Sequence, residues 1–166
     1  MRKVLSVFAA VLLLAACETA SDQSAGTAGT GGATGAGAAA TTARPGPRPG
    51  SQEDLVANVG DRVFYDFDKS DLKPEARRTV ERWAAWLRQY PNVNVTIEGH
   101  CDERGTREYN IGLGERRAAA AKNFLVSLGI DARRVATISY GKERPAVVGS
   151  SDSSYAQNRR GVALVN

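Results

Sequence analysis

An aspartate and an arginine that stand fifteen positions apart are the residues of this 166-residue sequence best suited to chemistry. Arg117 falls on the apolar stripe of a predicted helix, so its guanidinium should point inward, where a charge is rarely buried without a partner. Asp102, in the polar loop that leads into this helix, is the closest candidate carboxylate. The pair is either a structural ion pair that braces the loop or a zwitterion clamp. In a clamp, Asp102 binds an ammonium, while Arg117 and backbone N–H groups at the helix start bind a carboxylate.

The remaining reactive side chains do not form a catalytic set. His100 and Cys101 are adjacent, and successive residues of a strand face opposite sides, so a Cys-His dyad would not form if the strand extends that far. Cys101 shares the parity of the buried strand positions and is expected to be a small buried residue. The sequence has no Ser-His-Asp set, phosphate-binding loop or metal-ligand spacing, so no enzyme activity, metal or cofactor is predicted.

The predicted elements bring two polar loops together. Hydrophobic periodicity predicts strands at 62–67, 93–98, 135–140 and 161–165, and helices at 52–58, 74–90 and 108–128. Polar loops follow the first two strands, at 66–71 and 99–105. If these strands are parallel neighbours, both loops lie at the edge where open α/β sheets bind ligands. The order β-α-β-α-β-β predicts an α+β, two-layer sandwich with a mixed sheet and helices on one face.

The amino terminus has the pattern of an export signal. Two basic residues precede the apolar run 4–16, which is too short to span a bilayer as a helix. Small residues stand directly before Cys17, an arrangement that resembles a bacterial lipobox; the alternative is an ordinary signal peptide with a chance cysteine. The prediction is that residues 1–16 are removed and that Cys17 is acylated and anchored in a membrane. Glu18 after the cysteine resembles the choice of outer-membrane lipoproteins.

Residues 17–50 are of low complexity. Gly, Ala, Thr, Ser and Pro dominate them, and this composition buries too little apolar surface to offset chain entropy, so a disordered tether is predicted. Residues 51–166 remain for one small folded domain. The signal carries 2 of the 22 basic residues, and the remaining 20 against 18 acidic residues leave a net charge of +2. No nucleic-acid partner is therefore expected.

The second polar loop and its helix carry a longer pattern. The run TIEGHCDERGTREYN and the following LGERRA resemble the family of peptidoglycan-associated lipoproteins of Tol-Pal systems, whose globular part is an OmpA-like domain. The predicted lipobox agrees with this family. The stretches with the resemblance, in the same order as in the family and within residues 55–166, are 63–70, 96–110, 113–118, 138–145 and 157–160.

The resemblance implies a non-enzymatic domain that binds the meso-diaminopimelate stem peptide of peptidoglycan. In that family an aspartate and an arginine with this spacing hold the diaminopimelate, and here they are Asp102 and Arg117, in agreement with the clamp. The other family positions that belong to the pocket correspond to Phe67, Asp68, Lys69, Arg104, Leu113 and Asn158.

The resemblance also implies a cellular role. The lipid anchor would lie in the outer membrane and face the periplasm, and the domain would tie this membrane to the cell wall in envelope integrity and cell division. The implied protein partner is the periplasmic propeller TolB. The alternatives are a lipoprotein scaffold that binds mainly proteins, and a peptidoglycan hydrolase. From sequence alone, alanine at position 102 or 117 is expected to abolish wall binding and to leave the melting temperature nearly unchanged.

Overall fold

The domain consists of four strands and four helices. The structure is a computed structural model and describes residues 46–166; the predicted signal, Cys17 and most of the predicted tether lie outside the described residues. No helix in this part of the chain is long and apolar enough to cross a bilayer. The elements are α1 (Gln52–Asn58), β1 (Arg62–Phe64), α2 (Pro74–Gln89), β2 (Val95–His100), α3 (Arg107–Ser127), β3 (Val135–Gly141), α4 (Asp152–Asn158) and β4 (Arg160–Val165), with a 3-10 turn at Ala132–Arg134.

The strands form one mixed sheet in the order β1-β4-β2-β3. β2 and β3 are parallel, whereas β4 is antiparallel to both β1 and β2. β1 and β2 are therefore not neighbours, because β4 lies between them. They nevertheless run in the same direction, so the polar loops that follow them leave the same end of the sheet. The predicted α+β fold with a mixed sheet is confirmed.

Local sequence signals account for the ends of the two long helices. α2 begins at Pro74, whose fixed φ suits the first helical position, and it ends at Gln89. α3 begins after Thr106, because the threonine hydroxyl accepts the N–H of Tyr109 and satisfies a backbone donor that has no partner inside the helix. Gly129, with φ of +91°, follows the last turn of α3.

One contact sets the position of α3 on the sheet. Gly99 in β2 lies so close to Gly114 in α3 that a Cβ at position 99 would collide with the Gly114 carbonyl group. Glycine permits this approach because it has no side chain. The first half of α3 is thereby pressed against the end of β2, where the second polar loop starts. The buried core beneath α2 and α3 includes Val63, Val80, Trp83, Leu87, Val95, Ile97, Ala118, Ala121, Leu125 and Val135.

Two sequence predictions about local structure are corrected. The sequence predicts that β1 extends to residue 67, but the strand ends at Phe64. The chain then turns, with the Lys69 N–H donating to the Asp66 carbonyl oxygen at 3.2 Å and Asp68 at φ of +56°. The helix α4 was not predicted, because its seven residues are mostly polar and show no apolar periodicity. Its start is capped by the side chain of Ser151.

Candidate functional site

A cavity opens where the loops after β1 and β2 meet the first half of α3. Its volume is about 170 Å³, which admits the end of one side chain but not a folded segment of protein. The residues that line it are Phe67, Asp68, Cys101, Asp102, Arg104, Gly105, Tyr109, Asn110, Leu113 and Arg117.

Asp102 is the carboxylate of this cavity and is only 4% exposed. Arg104 donates to it from Nη2 at 2.6 Å and from Nε at 3.2 Å, and Arg159 donates from Nη1 at 3.2 Å. Burial alone would raise the pKa of Asp102, but the hydrogen bonds from these two arginines outweigh it and hold the pKa below its ordinary value of 3.8. The carboxylate is therefore ionised at neutral and mildly acidic pH.

Arg117 is buried, with 1% of its surface exposed, and it holds the two loops together. Its Nε donates to the Lys69 carbonyl oxygen at 2.8 Å and its Nη2 to that of Asp66 at 3.0 Å, both in the loop after β1. Its Nη1 donates to the His100 carbonyl oxygen at 2.8 Å, at the end of β2. A direct Arg117–Asp102 ion pair is one of the two arrangements expected from sequence, and it is not formed: the ion pairs of Asp102 are with Arg104 and Arg159.

The guanidinium of Arg117 has hydrogen-bonding capacity beyond these three carbonyls. It carries five N–H donors, and the carbonyl oxygens of the described residues occupy three of them. One N–H remains on each of the two terminal nitrogens, and Arg117 lines the cavity. Guanidinium N–H groups of this kind are donors that a carboxylate accepts.

The mouth of the cavity is bounded by contacts between the loops. The guanidinium of Arg104 lies between two aromatic rings, 4.0 Å from the centroid of Phe67 and 4.4 Å from that of Tyr155. The Tyr109 hydroxyl donates to Asp68, the one non-glycine residue in the described part of the chain with positive φ. The first loop is thus attached to the second loop on one side and to α3 on the other.

The structure places most of the predicted site residues around this cavity, but two of them differ. The side chain of Lys69 is not part of the lining, although its carbonyl oxygen holds Arg117. Asn158 lies away from the cavity, because its buried side chain braces the loop before α4. Its Oδ1 accepts the N–H groups of Ala146 and Val147, and its Nδ2 donates to the Val147 carbonyl. The predicted residues that line the cavity are Phe67, Asp68, Asp102, Arg104, Leu113 and Arg117.

Sequence reasoning missed several contributors. Asn110 and Tyr109 are three or four residues before Leu113, so helical periodicity was a usable signal for them. Arg159 gave no such signal, since it reaches Asp102 from 57 positions away. It also donates to the carbonyl oxygen of Tyr65, which joins the end of β1 to the loop after β2.

The two residues that suggested a thiol enzyme are directed to different partners. The Cys101 thiol donates to the Asn110 carbonyl oxygen at 3.4 Å, and burial raises its pKa, so the thiol stays protonated. The His100 ring lies 3.2 Å from the Glu98 carboxylate and stacks on Tyr140. Among residues 46–166, no three His, Cys, Asp or Glu side chains lie close enough together to hold a metal ion.

Comparisons with known proteins identify the family of the chain. Residues 64–159 match the OmpA family. The peptidoglycan-associated lipoprotein of Brucella melitensis is 52% identical over 118 residues, which cover 71% of this chain and 70% of the relative. That of Pasteurella multocida is 39% identical over 161 residues, covering 96% of this chain and 95% of the relative.

A solved structure gives the same result for the fold. The crystal structure of the peptidoglycan-associated lipoprotein from Burkholderia pseudomallei superposes with a TM-score of 0.62 at 35% sequence identity. The match covers 64% of this chain and 90% of that one. The chain therefore belongs to the OmpA family and, within it, to the peptidoglycan-associated lipoproteins.

Proposed function

We propose that the cavity binds the diaminopimelate stem peptide of peptidoglycan without covalent chemistry, so that the chain ties the outer membrane to the cell wall. One observation carries this proposal: the ionised carboxylate of Asp102 and the buried guanidinium of Arg117 line the same small cavity. The relatives' name, peptidoglycan-associated lipoprotein, supports the choice of ligand.

The chemistry of diaminopimelate fits the two charges. Its far carbon carries both an amine and a carboxylate, so the ammonium pairs with Asp102 and the carboxylate accepts the two remaining N–H groups of Arg117. Arg104 is 38% exposed at its side chain and turns aside to admit the ammonium. Arg159, more buried at 15%, keeps its bond to Asp102 and holds the carboxylate in place. Tight fixation of this kind lowers the entropic cost of binding.

The same residues support binding rather than hydrolysis. A hydrolase needs an activated nucleophile, and the Cys101 thiol is protonated and bonded to a backbone carbonyl. His100 is engaged with Glu98 and does not serve as its base. These contacts support our proposal of a binding role without catalysis.

The ligand is tested with two stem peptides that differ at one group. A peptide with meso-diaminopimelate is expected to bind at least tenfold more tightly than the same peptide with lysine, which lacks the far carboxylate, because charge-assisted hydrogen bonds contribute about 1.5–3 kcal/mol. Isothermal titration calorimetry measures both dissociation constants. A diaminopimelate peptide with that carboxyl amidated is the matched control and should behave like the lysine peptide. Equal affinity for all three peptides would contradict the proposal.

The anchoring role needs the amino-terminal part of the chain. In our proposal, acyl chains on Cys17 hold the protein in the outer membrane, facing the periplasm, and residues 17–50 span the distance to the wall. The lipobox pattern and the word lipoprotein in the relatives' names support this arrangement. Family resemblance supports TolB as a protein partner that competes for an overlapping surface.

Cys17→Ser is expected to release the exported protein from the membrane fraction into the soluble periplasm. The reason is that each buried methylene of an acyl chain contributes about 0.8 kcal/mol to membrane binding, and the serine variant receives no acyl chain. Immunoblots of separated membrane and periplasmic fractions measure the change, with Ser21→Ala as a control in the same segment. Membrane retention of the serine variant, in cells whose wall binding is blocked by Asp102→Asn, would contradict the lipid anchor.

A further inference from the structure

The segment that enters the domain is fastened at two points. Gln52, the first residue of α1, pairs with β4 as a strand residue would: its Nε2 donates to the Ala163 carbonyl oxygen at 3.2 Å, and its Oε1 accepts the Val165 N–H at 2.7 Å. A side-chain amide carries the same donor and acceptor as a peptide group. Gln52 therefore attaches α1 directly to the strand that lies between β1 and β2.

Asp54 provides the second point. Its Oδ2 accepts the backbone N–H of Gly50 and the indole N–H of Trp86, each at 2.9 Å. The hydrogen bond from the Gly50 N–H contributes most to lowering the pKa of Asp54 below its ordinary value, so the carboxylate is charged at neutral pH. The ordered region therefore starts before residue 51, earlier than the predicted end of the tether. We call Gly50, Gln52, Asp54 and Trp86 the tether clamp.

The tether clamp and the cavity lie at opposite ends of the sheet. Gly50 packs near Tyr90 and Val93, just before β2 begins, whereas Cys101 of the cavity follows its last residue. The six residues of β2 separate the two by about 20 Å, at roughly 3.3 Å per residue. A pull between the tether and a ligand in the cavity therefore acts along the strands.

Without the tether clamp, such a pull would reach the weakest strand first. The chain runs from α1 into β1, which makes only three residue pairs, all with β4. β4 has these three pairs and five more with β2. Hydrogen bonds between antiparallel strands are perpendicular to them, so a pull along β4 loads these bonds together rather than one after another. Entry of the load at β4 is mechanically stronger than entry at β1.

We propose that the tether clamp is a force-bearing joint that passes tension from the anchored segment into β4 through Gln52 and into α2 through Trp86, and so spares β1. The physiological load rests on the proposed function, because tension arises only if Cys17 is held in a membrane and the cavity is held on the wall. The clamp itself is a property of the folded chain and can be measured without ligand.

The test is single-molecule stretching of the full mature chain with Cys17→Ser. One handle is an amino-terminal tag, and the other is a thiol introduced by Val148→Cys, a position that is 91% exposed. Position 148 lies in a loop attached to the cavity end by the bond from Ser150 to Glu103, and Cys101 is too buried to react. Magnetic tweezers then measure the lifetime of the folded state under constant force, which depends on the unfolding rate.

Gln52→Ala is expected to shorten this lifetime roughly tenfold, because two hydrogen bonds are lost from the loaded path. Gln52→Glu keeps the size but cannot donate to Ala163, and it should shorten the lifetime as well. Gln157→Ala, at an exposed glutamine of α4, is the matched control and should change nothing. When the carboxyl terminus replaces the amino-terminal handle, the load enters β4 directly and the Gln52 variants should shorten the lifetime far less than they do with the amino-terminal handle.

Two results would overturn the tether clamp: an unchanged lifetime in both Gln52 variants, or an equally shortened lifetime with either handle, which is what general destabilisation produces. The peptide titration tests wall binding separately. Loss of diaminopimelate selectivity would remove the proposed function and leave the mechanical result standing, whereas a failed stretching experiment would leave peptide binding intact.

Discussion

Asp102→Asn is expected to weaken binding of the diaminopimelate stem peptide by roughly 100-fold. The substitution keeps the size and the acceptor oxygen of the side chain but removes the charge that pairs with the ligand ammonium, a loss of about 3 kcal/mol for a hydrogen bond to a charged group. The surroundings enlarge the effect, because Arg104 and Arg159 then face the incoming ammonium without a counter-charge. The cavity changes from a zwitterion site into a cationic one.

The same variant also separates the binding role from a structural one. Asp71→Asn is the matched control, since Asp71 is exposed and lies outside the cavity. Pull-down on isolated sacculi and peptide calorimetry measure binding, and circular dichroism measures the melting temperature. The proposal requires a large loss of binding with a folded domain. Retained binding would contradict it, and loss of the fold would indicate that Asp102 mainly braces the loop.

The part of the site that sequence predicts well is the part built by local periodicity. Arg117 falls on the stripe of Leu113 and Ala121, which predicts an inward side chain, and it is among the most buried side chains of the domain. The predicted start of this helix also places Asp102 in the loop that leads into α3. Asn110, which lines the cavity, lies one turn before Leu113 and was within reach of this reasoning.

The partners of these residues depend on contacts that no local pattern encodes. The sequence predicts a carboxylate partner for Arg117, whereas its donors bond to three backbone carbonyls. Because every residue has a backbone carbonyl, residue types do not indicate which ones Arg117 binds. The role of Arg159 follows from β4, which begins next to it and brings it to Asp102 and to the end of β1. Asn158, one residue earlier, faces the loop at 146–147 instead.

The fold shows the same division. Alternation along Val95 and Ile97 gives the buried face of β2 directly, because the side-chain period of a strand is two residues. Alternation does not predict that the last strand, β4, lies between β1 and β2, because the same alternation of side chains fits every strand order. The two polar loops lie together because β4 is antiparallel to both neighbours, an arrangement different from the parallel neighbours expected.

Arg117→Ala is expected to destabilise the domain by about 3 kcal/mol and to lower its melting temperature by roughly 10 °C, because a buried acceptor that loses its donor carries a desolvation cost and a large side chain leaves a cavity. This revises the expectation from sequence alone that alanine at position 117 leaves the melting temperature nearly unchanged. The carbonyls that lose their partner belong to Asp66, Lys69 and His100. Both loops of the cavity should therefore loosen together.

Thermal denaturation of Arg117→Ala and Arg116→Ala measures this effect. Arg116 is the neighbouring arginine on α3 and is exposed. Its loss should therefore change the free energy of unfolding by no more than about 0.5 kcal/mol. Arg117→Lys is the sharper variant, because lysine keeps the charge but its single nitrogen cannot reach three carbonyls in the fork geometry of a guanidinium. We expect it to be nearly as unstable as the alanine variant. A lysine variant as stable as the parent would mean that the charge, and not the three-way bonding, holds the loops together.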